Sequence, residues 1–350
     1  MSVETEAGSG RATRESTGRR PGTGMLLEIA ERFGLVFLLV AVVLFFSFYG
    51  PTGEAYGTWV NFRTILGNEA ALSVLALASI LPLIGGSFDL SVASIMLLAD
   101  IATASATSHH GAPIGVAAAM AIALGAAIGL VNGLVVAKAG VNALIATLGT
   151  ATVITGIVQW YTGGLSIVTG IPDSLTRLVT TQWLGLPRIA LFTIGAAVLI
   201  WYLLAHTPYG RYLQAVGSNR AAGRLVGIDV DRVVVISLVL SGTFAAVAGV
   251  LQLAHDGSAN PQIGMNFLLP ALAAAFLGAT TIRPGRFNVL GTLVAVFFIA
   301  AAVQGLNYAG VQSWVQNVVN GTALVLAVGL TAVIGRRRAH VSRMSKLETT

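Results

Sequence analysis

The segment PYGRYLQAVGSNRAAGRLVGIDVDR (residues 208–232) is a long polar stretch between two strongly apolar ones, and it decides how the rest of the chain can be arranged. It carries four of the 20 basic residues, Arg211, Arg220, Arg224 and Arg232, together with many glycines and alanines. This pattern predicts a short amphipathic helix with tight turns at its ends. Because arginine is enriched on the cytoplasmic side of membrane proteins, we expect a cytoplasmic loop that presents a small charged surface to a soluble partner. A loop that is merely solvated is the alternative.

The composition places the chain in a lipid bilayer. Of its 350 residues, 55% are hydrophobic and 10% are charged, whereas a soluble domain carries about 25% charged residues. The net charge of +6 comes from basic residues at the ends of apolar segments, which indicates membrane topology and not nucleic-acid binding. The sequence has no cysteine, and this excludes disulfides, thiolate metal sites and cysteine nucleophiles. We therefore expect an all-α polytopic membrane protein.

Ten apolar segments approach the roughly 20 residues that a helix needs to cross the hydrocarbon core. An even number of crossings puts both termini on one side. That side holds 17 of the 20 Lys and Arg residues, so the positive-inside rule predicts cytoplasmic termini. The ten segments are 33–49, 70–84, 90–107, 114–137, 141–161, 189–205, 233–254, 267–281, 289–308 and 314–334.

The same division sets the expected domain bounds. Residues 1–32 are polar at their start and lack the apolar run of a secretory signal, so we expect a disordered cytoplasmic tail. Residues 33–335 form the transmembrane domain, which includes the loop 208–232. Residues 336–350 form a basic cytoplasmic tail.

Two of the segments have the features of broken helices. Segments 70–84 and 267–281 are only about 15 residues long, and they contain Pro82 and Pro270. Short spans interrupted by proline often line a transport path, because unwound backbone at membrane depth survives only inside protein or beside a cavity. The two sets of five segments would have opposite orientations, which fits an inverted repeat of two five-helix halves.

Motifs for enzymatic chemistry are missing from the sequence. Neither Lys138 nor Lys346 follows a glycine, so there is no phosphate-binding GK[ST] loop and the chain is not itself a P-loop ATPase. Neither H-E-x-x-H nor G-x-S-x-G occurs, and His109-His110 is interpreted as an ordinary loop pair and not as a metal site. We expect no catalytic residue, no metal and no cofactor bound by this chain.

Several polar residues within apolar segments are candidates for lining a path, since intramembrane charge is costly and usually functional. Asp100 lies near the middle of the third segment, with no helix end to cap. Asp89 and Ser91 follow a Gly-Gly break, and capping of the next helix is the alternative for both. Threonines in the fifth segment have back-bonding to their own helix as the alternative. The candidate path residues are Asp89, Ser91, Asp100, Asn142, Thr147 and Thr150.

Four blocks of sequence resemble the ribose-type permease family, the membrane subunits of ATP-binding-cassette importers for monosaccharides. They are GGSFDLSVAS (85–94), NALIATLGT (142–150), GRYLQAVGSNRAAGRLVGI (210–228) and LGATTIRPGRFNVLGTL (277–293). The third block implies a coupling segment that docks into the ATPase. Its coupling residues would be Gly210, Arg211, Ala215, Gly217, Asn219, Ala222, Arg224, Gly227 and Ile228.

The resemblance implies a multi-pass permease of the bacterial inner membrane that moves a pentose, hexose or polyol by alternating access. Its implied partners are a cytoplasmic ATPase that binds ATP and Mg²⁺, a second permease copy or homologue, and an extracytoplasmic solute-binding protein. A branched-chain amino-acid permease of the same superfamily and an ion-coupled secondary carrier are the alternatives. Asp100 stands where the family usually has a small residue.

Overall fold

The computed structural model describes residues 21–312 and 314–329, which form fifteen helices and one short hairpin. The first helices are α1 (Pro21–Phe48), α2 (Gly53–Tyr56), α3 (Trp59–Asn68), α4 (Ala70–Ile84), α5 (Val92–Ser108), α6 (Ile114–Ala137), α7 (Ala143–Thr162) and α8 (Asp173–Thr180). After the hairpin come α9 (Ile189–His206), α10 (Pro208–Ser218), α11 (Arg220–Leu225), α12 (Val230–Asp256), α13 (Gly264–Gly278), α14 (Val289–Tyr308) and α15 (Trp314–Gly329).

Each of the ten predicted apolar segments overlaps one helix, which confirms an all-α membrane protein. By length and composition, α6, α7, α9, α12 and α14 can each cross a membrane, and α3 with α4, bent by 45°, would make a sixth span. The apolar parts of α1, α5, α13 and α15 are shorter. The count of about ten spans is therefore not confirmed by helix length.

Two further features differ from the sequence-based expectations. The helix α1 begins at Pro21, so residues 21–32 are helical and not a disordered tail, because residues 25–32 (MLLEIAER) are mostly strong helix formers. A hairpin of β1 (Gln182–Trp183) and β2 (Leu186–Pro187) was not predicted. Its turn residues, Leu184 and Gly185, both have positive φ, as tight hairpin turns require. Residues 1–20 and the predicted basic tail 336–350 lie outside the described residues.

The helix α12 forms the centre of the molecule and packs against α4, α5 and α6. Glycines let α6 and α12 approach at backbone distance, as the spacing of Gly125, Gly129 and Gly133 predicts. A Cβ atom on Gly129 would lie 2.3 Å from the Leu238 carbonyl oxygen, and one on Gly242 would lie 2.3 Å from the Gly125 carbonyl oxygen. These glycines serve helix packing, and no side chain fits in their place.

The connecting segments gather at two ends of the bundle. At one end the Ile282 amide donates to the Arg32 carbonyl at 2.7 Å, and α10 packs on the C-terminal end of α4. At the other end, Arg63 donates to the Gln182 side chain at 2.7 Å, and Ile167 pairs with Ala259. We call these the coupling end and the distal end. Loops that the charge distribution assigns to one side therefore lie together at one end.

Candidate functional site

A buried polar network surrounds the break between α4 and α5. Asp89 is 2% exposed. Its Oδ1 atom accepts from the Ser91 amide at 3.0 Å and the Ser91 hydroxyl at 2.6 Å, and its Oδ2 atom accepts from the Ser241 hydroxyl of α12 at 2.9 Å. All three donors address the Asp89 carboxyl, so both of its oxygens have hydrogen-bond partners. Asp89 thus ties the break to the central helix.

The network continues from Ser91 into α6 and α7. The Asn132 amide donates to the Ser91 hydroxyl at 2.9 Å, and the Asn132 carbonyl oxygen accepts from the Thr150 hydroxyl at 2.6 Å. The Leu90 amide donates to the Thr147 hydroxyl at 3.0 Å. The structure therefore brings together four predicted path residues, Asp89, Ser91, Thr147 and Thr150.

The alternatives raised from the sequence are partly correct. Thr147 and Thr150 also donate to the carbonyl oxygens of Ala143 and Ala146 in their own helix, at 2.8 and 3.0 Å. Ser91 occupies the N-cap position of α5, but its side chain makes no capping bond, because its hydroxyl is committed to Asp89. Capping by Ser91 is therefore wrong.

The remaining two candidates lie apart from this network. Asn142 is exposed and caps α7 by accepting from the Leu144 amide at 2.9 Å. Asp100 is 1% exposed within α5 and faces α12, where Gly249 approaches its backbone. Neither Asp100 carboxyl oxygen makes a hydrogen bond of good geometry among the described residues, and the nearest polar group is the backbone of Asn260. A buried carboxyl without a partner is costly, so a structural role does not account for it.

The polar segment 208–232 contains two helices and not the single one expected. Asn219 adopts an extended conformation between α10 and α11, and its side chain accepts from the Ala222 amide at 3.0 Å. This N-cap starts a new helix and so ends the old one. Burial raises the pKa of the Tyr209 hydroxyl, which donates to the Val233 carbonyl at 3.3 Å and fixes α10 on α12.

The helix α10 is in direct contact with the break between α4 and α5. A Cβ atom on Gly217 would lie 1.7 Å from the Ile84 carbonyl oxygen, so the backbones touch. From the start of α11, Arg220 donates to the Ser87 hydroxyl at 2.7 Å and the Gly86 carbonyl at 3.2 Å. Only Phe88 separates Ser87 from Asp89. The contacts of Gly217 and Arg220 thus connect α10 and α11 to the segment that holds Asp89.

The other predicted coupling residues mostly face solvent. Arg224 pairs with Asp231 at 3.1 Å, with side chains 64% and 44% exposed. Arg211, Ala215, Asn219, Ala222 and Gly227 are exposed, Ile228 is half-buried and Gly210 is buried against Leu204. Beside α10 lies a cavity of about 380 Å³ that extends to Arg283 and Arg286. The segment thus combines an exposed basic surface with a packed inner face.

Known proteins that resemble this chain are membrane permeases. Residues 61–328 match the family described as "Branched-chain amino acid transport system / permease component". The ribose import permease protein RbsC of Escherichia coli (strain K12) is 34% identical over 296 residues, which cover 83% of this chain and 91% of that protein.

This chain belongs to that permease family. RbsC of Bacillus subtilis (strain 168) is 33% identical over 87% of this chain and 92% of its own length. The L-arabinose transport system permease protein AraH of Escherichia coli (strain K12) is 30% identical over 86% and 90%. No solved structure matches significantly. The resemblance to permeases of ATP-binding-cassette sugar importers is therefore confirmed.

The permease also contains functional candidates that the sequence did not reveal. Asn132 and Ser241 join the Asp89 network; Asn132 is the single polar residue of α6, and Ser241 lies in the apolar middle part of α12. Such isolated polar residues at membrane depth are a detectable signal. Arg220 was visible as a basic residue of the segment, but its contact with the break required the fold.

Proposed function

We propose that this permease forms the translocation path for a sugar, a pentose, hexose or polyol, and that a separate cytoplasmic ATPase drives it. The observation that carries the proposal is the direct contact between α10 and the break after α4. It joins a surface suited to a soluble partner to a buried polar network suited to gating. The relatives named for ribose and arabinose support a sugar as the solute.

The proposed assembly contains two permeases, two ATPase domains that bind ATP and Mg²⁺, and an extracytoplasmic solute-binding protein. The exposed coupling residues between Arg211 and Gly227 would dock in a groove of the ATPase, and the basic residues beside the 380 Å³ cavity would complete the surface. The permease itself carries out no hydrolysis. Its role is to bind the solute, to orient it and to move it across the membrane.

The coupling step follows from the contacts. Closure of the ATPase pair would displace α10 and α11, and Gly217 would transmit the displacement to the Ile84 backbone. Arg220 would pull on Ser87, and the Asp89 hydrogen bonds to Ser91 and Ser241 would redirect the motion to α12. A bistable break of this kind suits alternating access.

The path residues remain those proposed from the sequence. Asp89, Ser91, Thr147 and Thr150 would set the position of the break beside the path. Asp100 and Asn142 would contact the solute. Hydroxyl-rich solutes suit such acceptors.

We further propose ten spans in the bacterial inner membrane, two inverted five-helix halves and cytoplasmic termini. The chain lacks cysteine, so single introduced cysteines test this topology without background. Leu165 and Leu225 are 74% and 89% exposed. In intact cells, an impermeant maleimide should label Leu165→Cys from outside, and Leu225→Cys only after permeabilisation. Outside labelling of Leu225→Cys would contradict the topology.

The transport proposal is tested with the permease and its ATPase reconstituted in proteoliposomes, with the solute-binding protein added outside. Uptake of D-ribose, L-arabinose or D-allose should require ATP and stop with vanadate. Uptake that survives vanadate but stops with a protonophore would instead identify an ion-coupled carrier.

A branched-chain amino acid is the second candidate solute, because the description of the family names it. A competition assay distinguishes a sugar from a branched-chain amino acid as the solute. Leucine in excess should leave sugar uptake unchanged if the solute is a sugar, and ATP-dependent leucine uptake without sugar uptake would establish the amino-acid function.

A further inference from the structure

A polar cavity of about 170 Å³ lies between α4, α13, α14 and α15 at the distal end. Its volume is below the roughly 300–1,000 Å³ of drug-sized ligand sites, so it suits a small solute. The cavity is lined at one side by Asn68 and Glu69, where α3 turns into α4, and at the other by Asn266, Gln316 and Asn320. None of these five residues belongs to the Asp89 network.

Glu69 is the one ionisable side chain that lines this cavity among the described residues. It is half-buried at the N-cap position of α4, yet its side chain makes no capping hydrogen bond. Among the described residues its carboxylate has neither a hydrogen-bond nor an ion-pair partner. The helix dipole stabilises a carboxylate near the start of a helix. This stabilisation explains an acidic residue at this position, but it does not explain why the residue lines a polar cavity. The open side of Glu69 leaves acceptor positions that a ligand can use.

Four amide side chains line the same cavity as Glu69 and offer both donors and acceptors. Asn320 is 7% exposed, and its amide has no hydrogen-bond partner in the part of the chain that the structure describes. Pro270 also lines the cavity and has no N–H group, so the carbonyl of Asn266, four residues earlier, lacks its usual helical donor. The Asn266 carbonyl and the Asn320 amide are therefore available to a ligand in the cavity.

The chemistry of the lining selects a class of ligand. No Lys or Arg lines the cavity among the described residues, so Glu69 would repel a sugar acid or sugar phosphate. Hydroxyl groups can donate to the carboxylate and exchange hydrogen bonds with the amides. Phe267 and the aliphatic side chains offer apolar surface to the C–H groups of a sugar ring. A small neutral polyhydroxylated solute meets all these conditions.

We propose that this cavity is a binding site for a neutral sugar on the transport path, with Glu69 as its principal acceptor. The assignment rests on the proposed sugar-transport function and gives it a location. The solute would enter at the distal end, where α4 begins, while the ATPase acts at the coupling end, where α4 stops.

The test uses protection of an introduced cysteine, which requires no change at Glu69. Asn266→Cys lines the cavity, and Leu165→Cys is the matched control on an exposed loop. Each variant is reconstituted as the complete complex, and its reaction rate with N-ethylmaleimide is measured with D-ribose, L-arabinose or D-allose. The transported sugar should slow the reaction at position 266 by at least about threefold and leave position 165 unchanged. Equal rates with and without the transported sugar would overturn the site.

Three solute arms define the ligand class. Gluconate, a sugar acid, should give no protection because of Glu69. D-glucosamine carries a positive charge, and if it protects position 266 better than every neutral sugar, the neutral class is wrong. Protection by the neutral sugar alone supports the assignment as stated.

The role of Glu69 is tested by Glu69→Gln, which keeps the shape and removes the charge. Combined with Asn266→Cys, it should abolish sugar protection and lower maximal uptake about tenfold. Normal uptake and protection in this variant would show that Glu69 is not the acceptor. ATP-dependent uptake of no pentose, hexose or polyol by the wild-type complex would refute the proposed function itself, which keeps the two failures distinguishable.

Discussion

The two ends of α4 are built in opposite ways. At the C-terminal end, Ile84 touches α10 at backbone distance, and Arg220 adds hydrogen bonds to the residues that follow. At the N-terminal end, Glu69 opens on a polar cavity and has no partner among the described residues. One end is closely packed and satisfied, whereas the other is open and unsatisfied. A closely packed end can transmit movement, and an unsatisfied end can receive a ligand.

This contrast separates two kinds of mutational effect. Changes at the packed end should disconnect ATP hydrolysis from transport while solute contacts remain. Changes at the open end should alter solute recognition while ATP hydrolysis remains. The 15-residue helix between them is too short to cross the membrane alone, so it lies within the bundle as a link between the ends.

The largest expected effect is at Gly217. In Gly217→Ala, the added methyl group would lie 1.7 Å from the Ile84 carbonyl oxygen, where backbone meets backbone. The helices must separate, so we expect uptake to be abolished although the permease still inserts and dimerises. Gly223→Ala is the control, because the nearest atom to its Cβ would be 3.7 Å away, and alanine favours a helix by about 1 kcal/mol over glycine. Equal uptake by the two variants would contradict the close contact.

A smaller effect is expected at Arg220. Arg220→Gln loses charged hydrogen bonds to Ser87 and Gly86, and because Arg220 is exposed we expect a net loss of about 1.4 kcal/mol, which corresponds to about tenfold in coupling. Uptake per ATP hydrolysed should fall by that factor while basal hydrolysis persists. The control is Arg224→Gln, since the exposed pair with Asp231 is worth about 0.2–1 kcal/mol.

The two variants, Arg220→Gln and Arg224→Gln, are compared by the amount of sugar taken up per ATP hydrolysed. A loss at Arg224 equal to or greater than that at Arg220 would show that docking at the exposed surface dominates over the internal contact. Ser87→Ala should reproduce part of the Arg220 effect, because it removes the shortest of the contacts.

The sequence predicted the packed end better than the open end. Glycine spacing, arginine clustering and the Gly85-Gly86 break are local patterns, and each maps onto one contact. The cavity instead draws residues from α3, α4, α13, α14 and α15, more than 240 positions apart along the chain. No local pattern marks Glu69 or Asn320, since each has an ordinary place in its own helix. Glu69 and Asn320 come to line the same cavity only when their helices pack together.

The smallest expected effect concerns Asp100, which lies in α5 between the two ends. Its carboxyl is buried without a hydrogen bond of good geometry among the described residues, and burying such a group costs about 1–3 kcal/mol. Asp100→Leu should therefore raise the thermal stability of the purified complex. If Asp100 contacts the solute, the same change should lower uptake severalfold, with Asp100→Asn intermediate. Ser73→Ala is the matched control, because Ser73 is another buried side chain without a partner and we expect no loss of uptake there. A more stable Asp100→Leu with normal uptake would remove Asp100 from the path and leave Glu69 as the acceptor that distinguishes the open end from the packed one.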